Sequence, residues 1–225
     1  MQTGAYKPPT LTVDSVIFQL IDNNLSVLII KRAEEPFKDK YALPGGYIAE
    51  GNTTKEAMAR VLRTKAGINV DELNLVEQLY TFDTISRDPR GHAVSVTYMG
   101  LGKDIAPNIE KTSQHPEFYP VKELPELAYD HEDIIKYARE RLQSKIGYTN
   151  AVFALLPKLF TLSQLQSAYE AILGRQLDKR NFRKKFLKLN LIQETDELHM
   201  QGAHRPARLY KFNSQKLETL DRSFD

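Results

Sequence analysis

Cysteine is absent from this chain of 225 residues. Its absence excludes disulfide bonds, thiolate nucleophiles and every zinc site that uses a cysteine ligand. A metal ion in this protein would therefore need oxygen or imidazole ligands. The absence also fits the reducing interior of a cell, where disulfides are rare.

Long hydrophobic runs are lacking as well. No apolar stretch approaches the roughly eighteen residues that span a bilayer, and the start of the chain, MQTGAYKPPT, has no hydrophobic segment of the secretory type. We therefore expect a cytoplasmic protein without a membrane partner. The hydrophobic content of 41% and the charged content of 27% are enough for one large core or two small ones.

The chain also lacks a strong net charge, since its formal net charge is only +2 at pH 7. The charges are nevertheless distributed unevenly. Residues 1–145 hold 18 of the 31 Lys and Arg residues and 21 of the 29 Asp and Glu residues, and residues 146–225 hold the other 13 and 8. The C-terminal third is therefore basic, which favours a polyanion as its partner.

Apolar periodicity predicts a layered α+β domain over residues 1–146. Two β-rich segments joined by the turn-forming Asp22-Asn23-Asn24 indicate a hairpin. Thr53 or Thr54 can cap the helix that follows, and Gly67 can end it. The predicted elements are strands at 11–21, 25–32, about 75–85 and 92–101, and helices at 53–66 and 131–146.

The composition changes at GYTN, residues 147–150, and we place a domain boundary there. A second domain over residues 147–225 is predicted to contain a helix at 161–173, a helix at 178–190 and a hairpin whose loop lies near Gln201-Gly202. The first of these helices begins with a capping-box pattern, Thr161 to Gln164. This order is typical of a winged helix-turn-helix.

The stretch GGYIAEGNTTKEAMARVLRTKAGI, residues 45–68, carries the most specific motif of the first domain. Five of its residues fall at the spacing of the Nudix box, and the preceding ALPGGY is similar to the Nudix lead-in Leu-Pro-Gly-Gly-aromatic. These five residues are Gly46, Arg60, Leu62, Gly67 and Ile68. The chain therefore resembles the Nudix family, which implies an α/β/α sandwich.

The acidic residues of that box are replaced. In the box, glutamates at i, i+3 and i+4 share one helix face and gather Mg²⁺ beside a diphosphate. The matching positions hold Val61, Thr64 and Lys65, and the earlier glutamate position holds Asn52. We therefore predict no catalytic residue, no metal ligand and no cofactor. A displaced metal site that uses Glu50 or Glu56 stays open as an alternative.

A ligand pocket is still predicted next to the altered box. The loop SRDPRGHAVSV, residues 86–96, resembles the loop of ADP-ribose-directed Nudix proteins, and paired guanidiniums can clamp a diphosphate while a tyrosine stacks on a base. The alternatives are a plain charged turn at Asp88–Gly91 and a surface ion pair of Arg60 with Glu56. The candidate ligand-binding residues are Arg32, Tyr41, Arg60, Arg87, Asp88, Arg90 and His92.

The helix predicted at 178–190 has two different faces. Phe182, Phe186 and Leu189 form an apolar stripe, and basic residues run along another side. Such a face is either solvated, bound to an acidic protein, or placed in the major groove of DNA by its N-terminal residues. The candidate DNA-binding residues are Ser163, Gln164, Lys179, Arg180, Asn181, Arg183, Lys184, Arg205 and Arg208.

An altered Nudix box joined to LLPKLFTLSQLQSAYEAILGRQLDKRNFRKKF and a closing RPARLYKF is similar to the Nudix-related transcriptional regulators of bacteria. The family includes the NAD-metabolism and arabinose regulators, and the resemblance covers roughly residues 10–213. It implies a homodimer that binds operator DNA and responds to a small-molecule effector, namely ADP-ribose, a related nucleotide or a pentose. The alternative is an ADP-ribose-type Nudix hydrolase with an accessory C-terminal domain.

Overall fold

The computed structural model describes residues 7–199 and 206–220. A mixed sheet of seven strands forms the centre of its N-terminal part: β1 Thr10–Ile21, β2 Asn24–Lys31, β3 Tyr41–Ala42, β4 Gly45–Tyr47, β5 Leu75–Phe82, β6 Ala93–Leu101 and β7 Glu117–Pro120. Five strands lie in the order β3-β2-β1-β6-β5, while β4 pairs with β1 and β7 pairs with β2. β1 and β6 run parallel, which requires the long connection that the intervening segment supplies.

The predicted N-terminal hairpin is confirmed, with a turn one residue shorter than expected. Ile21 pairs with Asn24, so that Asn24 belongs to β2 and the turn consists of Asp22 and Asn23. Both turn residues have positive φ, 47° and 61°. This geometry matches the right-handed twist of two paired strands, and Asp and Asn tolerate it better than most residues.

Helices cover both faces of the sheet, as the Nudix resemblance implies. Along β1, Val13 and Ile17 join one apolar cluster, whereas Val16 and Phe18 join the other, because alternate side chains of a strand point to opposite faces. No helix in the described ranges is long and apolar enough to cross a membrane. The covering helices are α1, Thr54–Val61, with a π-helical continuation at Leu62–Ala66, and on the other face α2, His131–Tyr148.

The C-terminal part forms the predicted winged helix-turn-helix. Its elements are β8 Phe160–Thr161, α3 Leu162–Leu173, α4 Lys179–Lys188, β9 Ile192–His199 and β10 Ala207–Phe212, with a sheet order of β8-β10-β9. Thr161 and Gln164 form the predicted capping box, and Gly174 ends α3 with a φ of 71°. The loop predicted near Gln201-Gly202 lies outside the described residues.

The two parts share one apolar core. Leu25 at the start of β2 belongs to the same buried cluster as Leu165 and Ile172 of α3, and α2 contributes the residues between them. Two side-chain hydrogen bonds also cross the junction: Gln143 donates to the carbonyl oxygen of Ile172 at 2.8 Å, and Asn74 donates to that of Ala154 at 2.9 Å. The predicted boundary at 147–150 therefore lies where α2 ends against the winged helix.

The packing of α4 can be tested with a matched pair of substitutions. Replacing Phe186 by alanine is expected to lower the free energy of unfolding by about 3–5 kcal/mol, because loss of a fully buried ring leaves a cavity. Leu187 is 47% exposed, and its replacement by alanine is expected to change stability by less than about 0.5 kcal/mol. Urea denaturation followed by circular dichroism measures both, and equal losses would contradict the described packing.

Candidate functional site

The helix that carries the Nudix box consists of α1 and its π-helical continuation, and we call it the box helix. Thr53 and Glu56 cap its N-terminus by bonding to each other in a capping box. The hydroxyl of Thr53 accepts a hydrogen bond from the Glu56 backbone at 3.2 Å, and the Thr53 backbone N–H and hydroxyl both donate to the Glu56 carboxylate at 2.8 Å. The backbone hydrogen bond from Thr53 is the main cause that lowers the pKa of Glu56. Glu56, one of the two carboxylates considered for a displaced metal site, therefore caps α1.

Glycines bring the box helix close to its neighbouring loops. Gly67 ends the π-helical segment with a φ of 65°, and a Cβ at this position would lie 2.4 Å from the Asn108 carbonyl oxygen. A Cβ on Gly46 would lie 3.1 Å from a methyl group of Val61. These two glycines of the Nudix box thus have packing roles that do not involve a metal.

The replaced positions do not fit a divalent cation. Val61 is buried in the core, and the hydroxyl of Thr64 donates to the Arg60 carbonyl oxygen at 2.9 Å. The ammonium of Lys65 donates to the Gly45 carbonyl oxygen at 2.5 Å. Asn52 is exposed. The described residues contain no cluster of three or more His, Asp or Glu side chains that could hold a metal ion.

A buried ion-pair network lies at the base of the cleft beside this helix. The Arg87 guanidinium donates two hydrogen bonds to Asp130, at 2.8 and 2.9 Å, and a third to Asp14 at 3.1 Å. Ser95 also donates to Asp14, at 2.6 Å. Arg87 is only 8% exposed. Two carboxylates therefore balance the charge of Arg87 and accept from its Nε and Nη2 groups, and its part in a diphosphate clamp stays a prediction.

His131 completes the network in a defined tautomer. Its Nδ1 accepts a hydrogen bond from the Leu43 backbone at 2.8 Å, so the ring proton is on Nε2, which faces Asp14 at 3.6 Å. Burial alone would raise the pKa of Asp14, but His131, Arg87 and Ser95 outweigh burial and hold this pKa well below its usual range. A Cβ on Gly45 would lie 2.0 Å from the Asp14 carboxylate.

Two tyrosines that the sequence analysis did not select form the aromatic surfaces of the cleft. The Arg32 guanidinium lies 5.0 Å from the ring centre of Tyr129, and the Arg90 guanidinium lies 5.6 Å from that of Tyr47. Both tyrosines line the cleft. Tyr47 could have been found, because it is the aromatic residue of the Leu-Pro-Gly-Gly-aromatic lead-in. Tyr129 gave no such signal.

The turn at Asp88–Gly91 is a β-turn, as one alternative held, and it also contributes to the cleft. The Gly91 N–H donates to the Asp88 carbonyl oxygen at 3.2 Å. Arg90 donates two side-chain hydrogen bonds to the Asp88 carboxylate, at 2.7 and 3.0 Å, and a long one of 3.4 Å to the Tyr129 hydroxyl. The hydrogen bond from Arg90 is the largest cause that lowers the pKa of Asp88.

Three other predicted ligand-binding residues lie elsewhere. The Tyr41 ring packs edge-on against Tyr119 at 5.5 Å and does not line the cleft. Arg60 donates to the Tyr47 carbonyl oxygen at 2.5 Å and forms no ion pair with Glu56. His92 is exposed, and it contacts β1 through its carbonyl oxygen. The tyrosines that line the cleft are therefore Tyr47 and Tyr129, and a stacking role for Tyr41 stays an untested prediction.

The second candidate site is the exposed face of α4. Asp178 caps the helix by accepting a 2.8 Å hydrogen bond from the Asn181 backbone. Phe182 and Phe186 are buried against Tyr169, with ring centres 5.4 and 5.6 Å from its ring. The remaining sides of the helix carry exposed polar and basic residues, namely Lys179, Arg180, Asn181, Lys184, Lys185 and Lys188. Lys185 and Lys188 are exposed here although the sequence analysis does not include them among the candidate DNA-binding residues.

The other predicted DNA-binding residues are partly engaged within the protein. Arg183 donates to the Ser163 hydroxyl at 3.2 Å, which joins α4 to the start of α3. The Gln164 side-chain oxygen accepts from the Thr161 backbone at 2.8 Å and leaves its amide N–H groups for other contacts. Arg208 forms an ion pair with Glu194. Arg205 lies outside the described residues.

Sequence comparison identifies both parts of the chain. The NUDIX domain model matches residues 10–139, and the model of the NrtR DNA-binding winged helix domain matches residues 152–212. The chain is 38% identical over 220 residues to the ADPR responsive transcriptional repressor NtrR of Acinetobacter baylyi, covering 95% of this chain and 86% of that protein. The chain belongs to the NrtR family.

Solved structures agree with membership of the NrtR family. Shewanella oneidensis NrtR complexed with a 27mer DNA has a TM-score of 0.77 and 29% identity, with 96% of this chain and 99% of that chain covered. The NUDIX domain of the same protein complexed with ADP ribose has a TM-score of 0.55 and 36% identity, with 63% and 94% covered. The predicted fold, a Nudix sandwich followed by a winged helix, is confirmed.

The buried network predicts a specific dependence of stability on pH. Asp14→Asn is expected to lower the free energy of unfolding by about 3–5 kcal/mol near neutral pH, because it leaves the buried Arg87 with one carboxylate fewer. Because the folded state holds the pKa of Asp14 below its usual 3.8, this carboxylate stabilises the protein above about pH 4 and loses its effect as the pH falls further.

Urea denaturation of the wild type and Asp14→Asn between pH 7 and pH 3 measures this difference. The gap between the two proteins should narrow below about pH 4. Asp83→Asn is a suitable control, because Asp83 is exposed and its replacement should leave stability nearly unchanged at every pH. A gap that is constant down to pH 3 would contradict the assignment of Asp14.

Proposed function

We propose that this protein is a transcriptional regulator whose Nudix domain binds ADP-ribose without hydrolysing it and whose winged helix binds operator DNA. One observation carries the proposal: the cleft keeps cationic and aromatic side chains, while the box helix beside it has no carboxylate at its metal-binding positions. The same chain presents a basic helix on a winged helix domain. Relatives described as an ADPR responsive repressor and as complexes with DNA and with ADP ribose support both halves.

The cleft offers separate contacts for the parts of ADP-ribose. Arg32 and Lys65 supply positive charge for the diphosphate, and Tyr47 and Tyr129 supply flat apolar surfaces for the adenine. Tyr47 is 53% exposed, so its ring is accessible to a base that enters from solvent. Most of these groups bind a nucleotide better than they bind a free pentose, which has neither a charge nor an aromatic ring.

The DNA contact is proposed for the N-terminal half of α4. A recognition helix enters the major groove by its N-terminus, and in α4 this end presents Lys179, Arg180 and Asn181 to solvent. Lys184 lies one turn after Arg180, on the same side of the helix. Contacts from Ser163 and Gln164 at the start of α3 would fix the orientation of the domain on the phosphate backbone.

We propose that the protein is a homodimer in the cytoplasm. In each chain, residues 1–146 form the effector-sensing domain and residues 147–225 form the DNA-binding domain. Two recognition helices then meet half-sites about one DNA turn apart. The effector-sensing and DNA-binding domains share one apolar core. An effector that binds one arrangement of the dimer more tightly therefore increases the fraction of molecules in that arrangement and changes the fraction that can bind DNA.

Binding of the effector is tested by calorimetric titration of the protein with ADP-ribose. Hydrolysis is tested by incubating the protein with ADP-ribose and Mg²⁺ or Mn²⁺ and analysing the mixture for AMP. We expect binding and no release of AMP at enzymatic rates, because the box helix holds no metal ligand at the required positions. A free pentose is the control ligand and should not bind. Rapid release of AMP would identify a hydrolase, and tight pentose binding would assign the sugar-responsive alternative.

DNA binding by the winged helix is tested with the DNA upstream of the protein's own gene. Replacing Arg180 or Lys184 by alanine should weaken binding and reduce the slope of log K against log salt concentration by about one for each phosphate that is no longer neutralised. Fluorescence anisotropy at several salt concentrations measures both quantities. Lys55→Ala, an exposed lysine of α1, is the control. An unchanged slope in all three variants would argue against α4 as the DNA-binding element.

A further inference from the structure

Lys65 occupies an unusual place for a lysine. It belongs to the π-helical end of the box helix, in a position where the family's motif has a carboxylate, and its side chain is partly buried at the floor of the cleft. Its ammonium donates to the Gly45 carbonyl oxygen at 2.5 Å. An ammonium has three N–H groups, so two remain for a ligand in the cleft. The hydrogen bond to Gly45 holds the charge in a fixed position.

The cations of the cleft fall into two groups. Arg87 and Arg90 are each bonded to aspartate side chains. Arg32 and Lys65 instead donate to backbone carbonyl oxygens, those of Glu34 and Pro36 for the arginine. Within residues 7–199 and 206–220, neither has a carboxylate at ion-pair distance. The positive charge available to an anionic ligand is therefore that of Arg32 and Lys65.

The environment of Lys65 favours the arrival of an anion. Burial lowers the pKa of Lys65 below its usual value, the neighbouring Arg32 lowers it further, and Asp14 and Glu34 only partly oppose these effects. The Asp14 carboxylate is already bonded to Arg87 and Ser95. A bound anion would relieve both the loss of hydration and the repulsion between the two cations.

We infer that the Lys65 ammonium replaces the metal ion of the Nudix box and, together with Arg32, binds the diphosphate of the effector without a divalent cation. This inference rests on the proposed function of the cleft. A fixed ammonium neutralises phosphate charge, as Mg²⁺ does, but it cannot hold and activate a water molecule for attack on phosphorus. Recognition of the diphosphate is thereby separated from its hydrolysis.

The inference is tested by calorimetric titration of the wild type with ADP-ribose and, separately, with inorganic pyrophosphate, each in EDTA and in Mg²⁺. We expect both ligands to bind with similar affinity under the two conditions. Lys65→Met keeps the length of the side chain without its charge, and should weaken both ligands by about tenfold to a hundredfold, the effect of losing a charge-assisted hydrogen bond. Lys65→Arg should recover part of the affinity.

A second variant restores the acidic residue. Lys65→Glu should abolish binding in EDTA and recover some of it in Mn²⁺, because a carboxylate at this position repels the diphosphate until a metal ion bridges them. Lys55→Met is the matched control on the exposed side of the same helix and should bind like the wild type. Thermal unfolding of every variant verifies that it remains folded.

The outcomes separate this inference from the proposed function. Binding of ADP-ribose by the wild type only in Mg²⁺, or unchanged affinity in a folded Lys65→Met variant, would overturn the role of Lys65 while leaving the regulator intact. If ADP-ribose fails to bind but pyrophosphate binds in EDTA and depends on Lys65, the effector assignment fails and the inference stands. A wild type that binds neither ligand in EDTA refutes the inference.

Discussion

The guanidinium of Arg87 joins three distant parts of the chain at the base of the cleft. It bonds to Asp14 on β1 and to Asp130 at the start of α2, while its own backbone belongs to the loop after β5. Buried ion pairs of this kind contribute little net stability compared with apolar packing, but a wrong arrangement leaves a buried charge unpaired. The network therefore fixes the relative positions of the strand, the loop and the helix. The cleft between Gly45, Tyr47 and Tyr129 depends on it.

This network also connects the cleft to the DNA-binding domain. α2 begins at His131, directly after its cap residue Asp130, and extends for 18 residues, or about 27 Å. Near its other end it packs against α3, where Gln143 donates a hydrogen bond to the Ile172 carbonyl oxygen. Under the proposed function, an effector bound beside Arg32 would act near one end of α2, and the other end of α2 belongs to the core shared with the winged helix. No flexible linker needs to carry the signal.

Sequence reasoning predicted local features well, because their causes are local. The hairpin turn, the caps at Thr53 and Thr161, and the glycine that ends the box helix all depend on residues within a few positions of each other. The choice between free and engaged arginines could not be predicted in this way. The partners of Arg87 are 43 and 73 positions away in the chain, so its engagement appears only in three dimensions. For the same reason the sequence does not reveal that Tyr41 packs on Tyr119 or that Tyr129 lines the cleft.

The replacement of a metal ligand by a lysine suits a sensor better than an enzyme. Because a hydrolase consumes its ligand, the occupancy of its site depends on the rate of turnover as well as on the ligand concentration. If the site needs Mg²⁺, its occupancy also depends on the Mg²⁺ concentration. In the role we infer for it, the Lys65 ammonium bonded to Gly45 would remove both dependences, since it is part of the folded chain and activates no water. Occupancy would then follow the effector concentration alone, which is the quantity that a population shift in the proposed dimer would convert into a change in transcription.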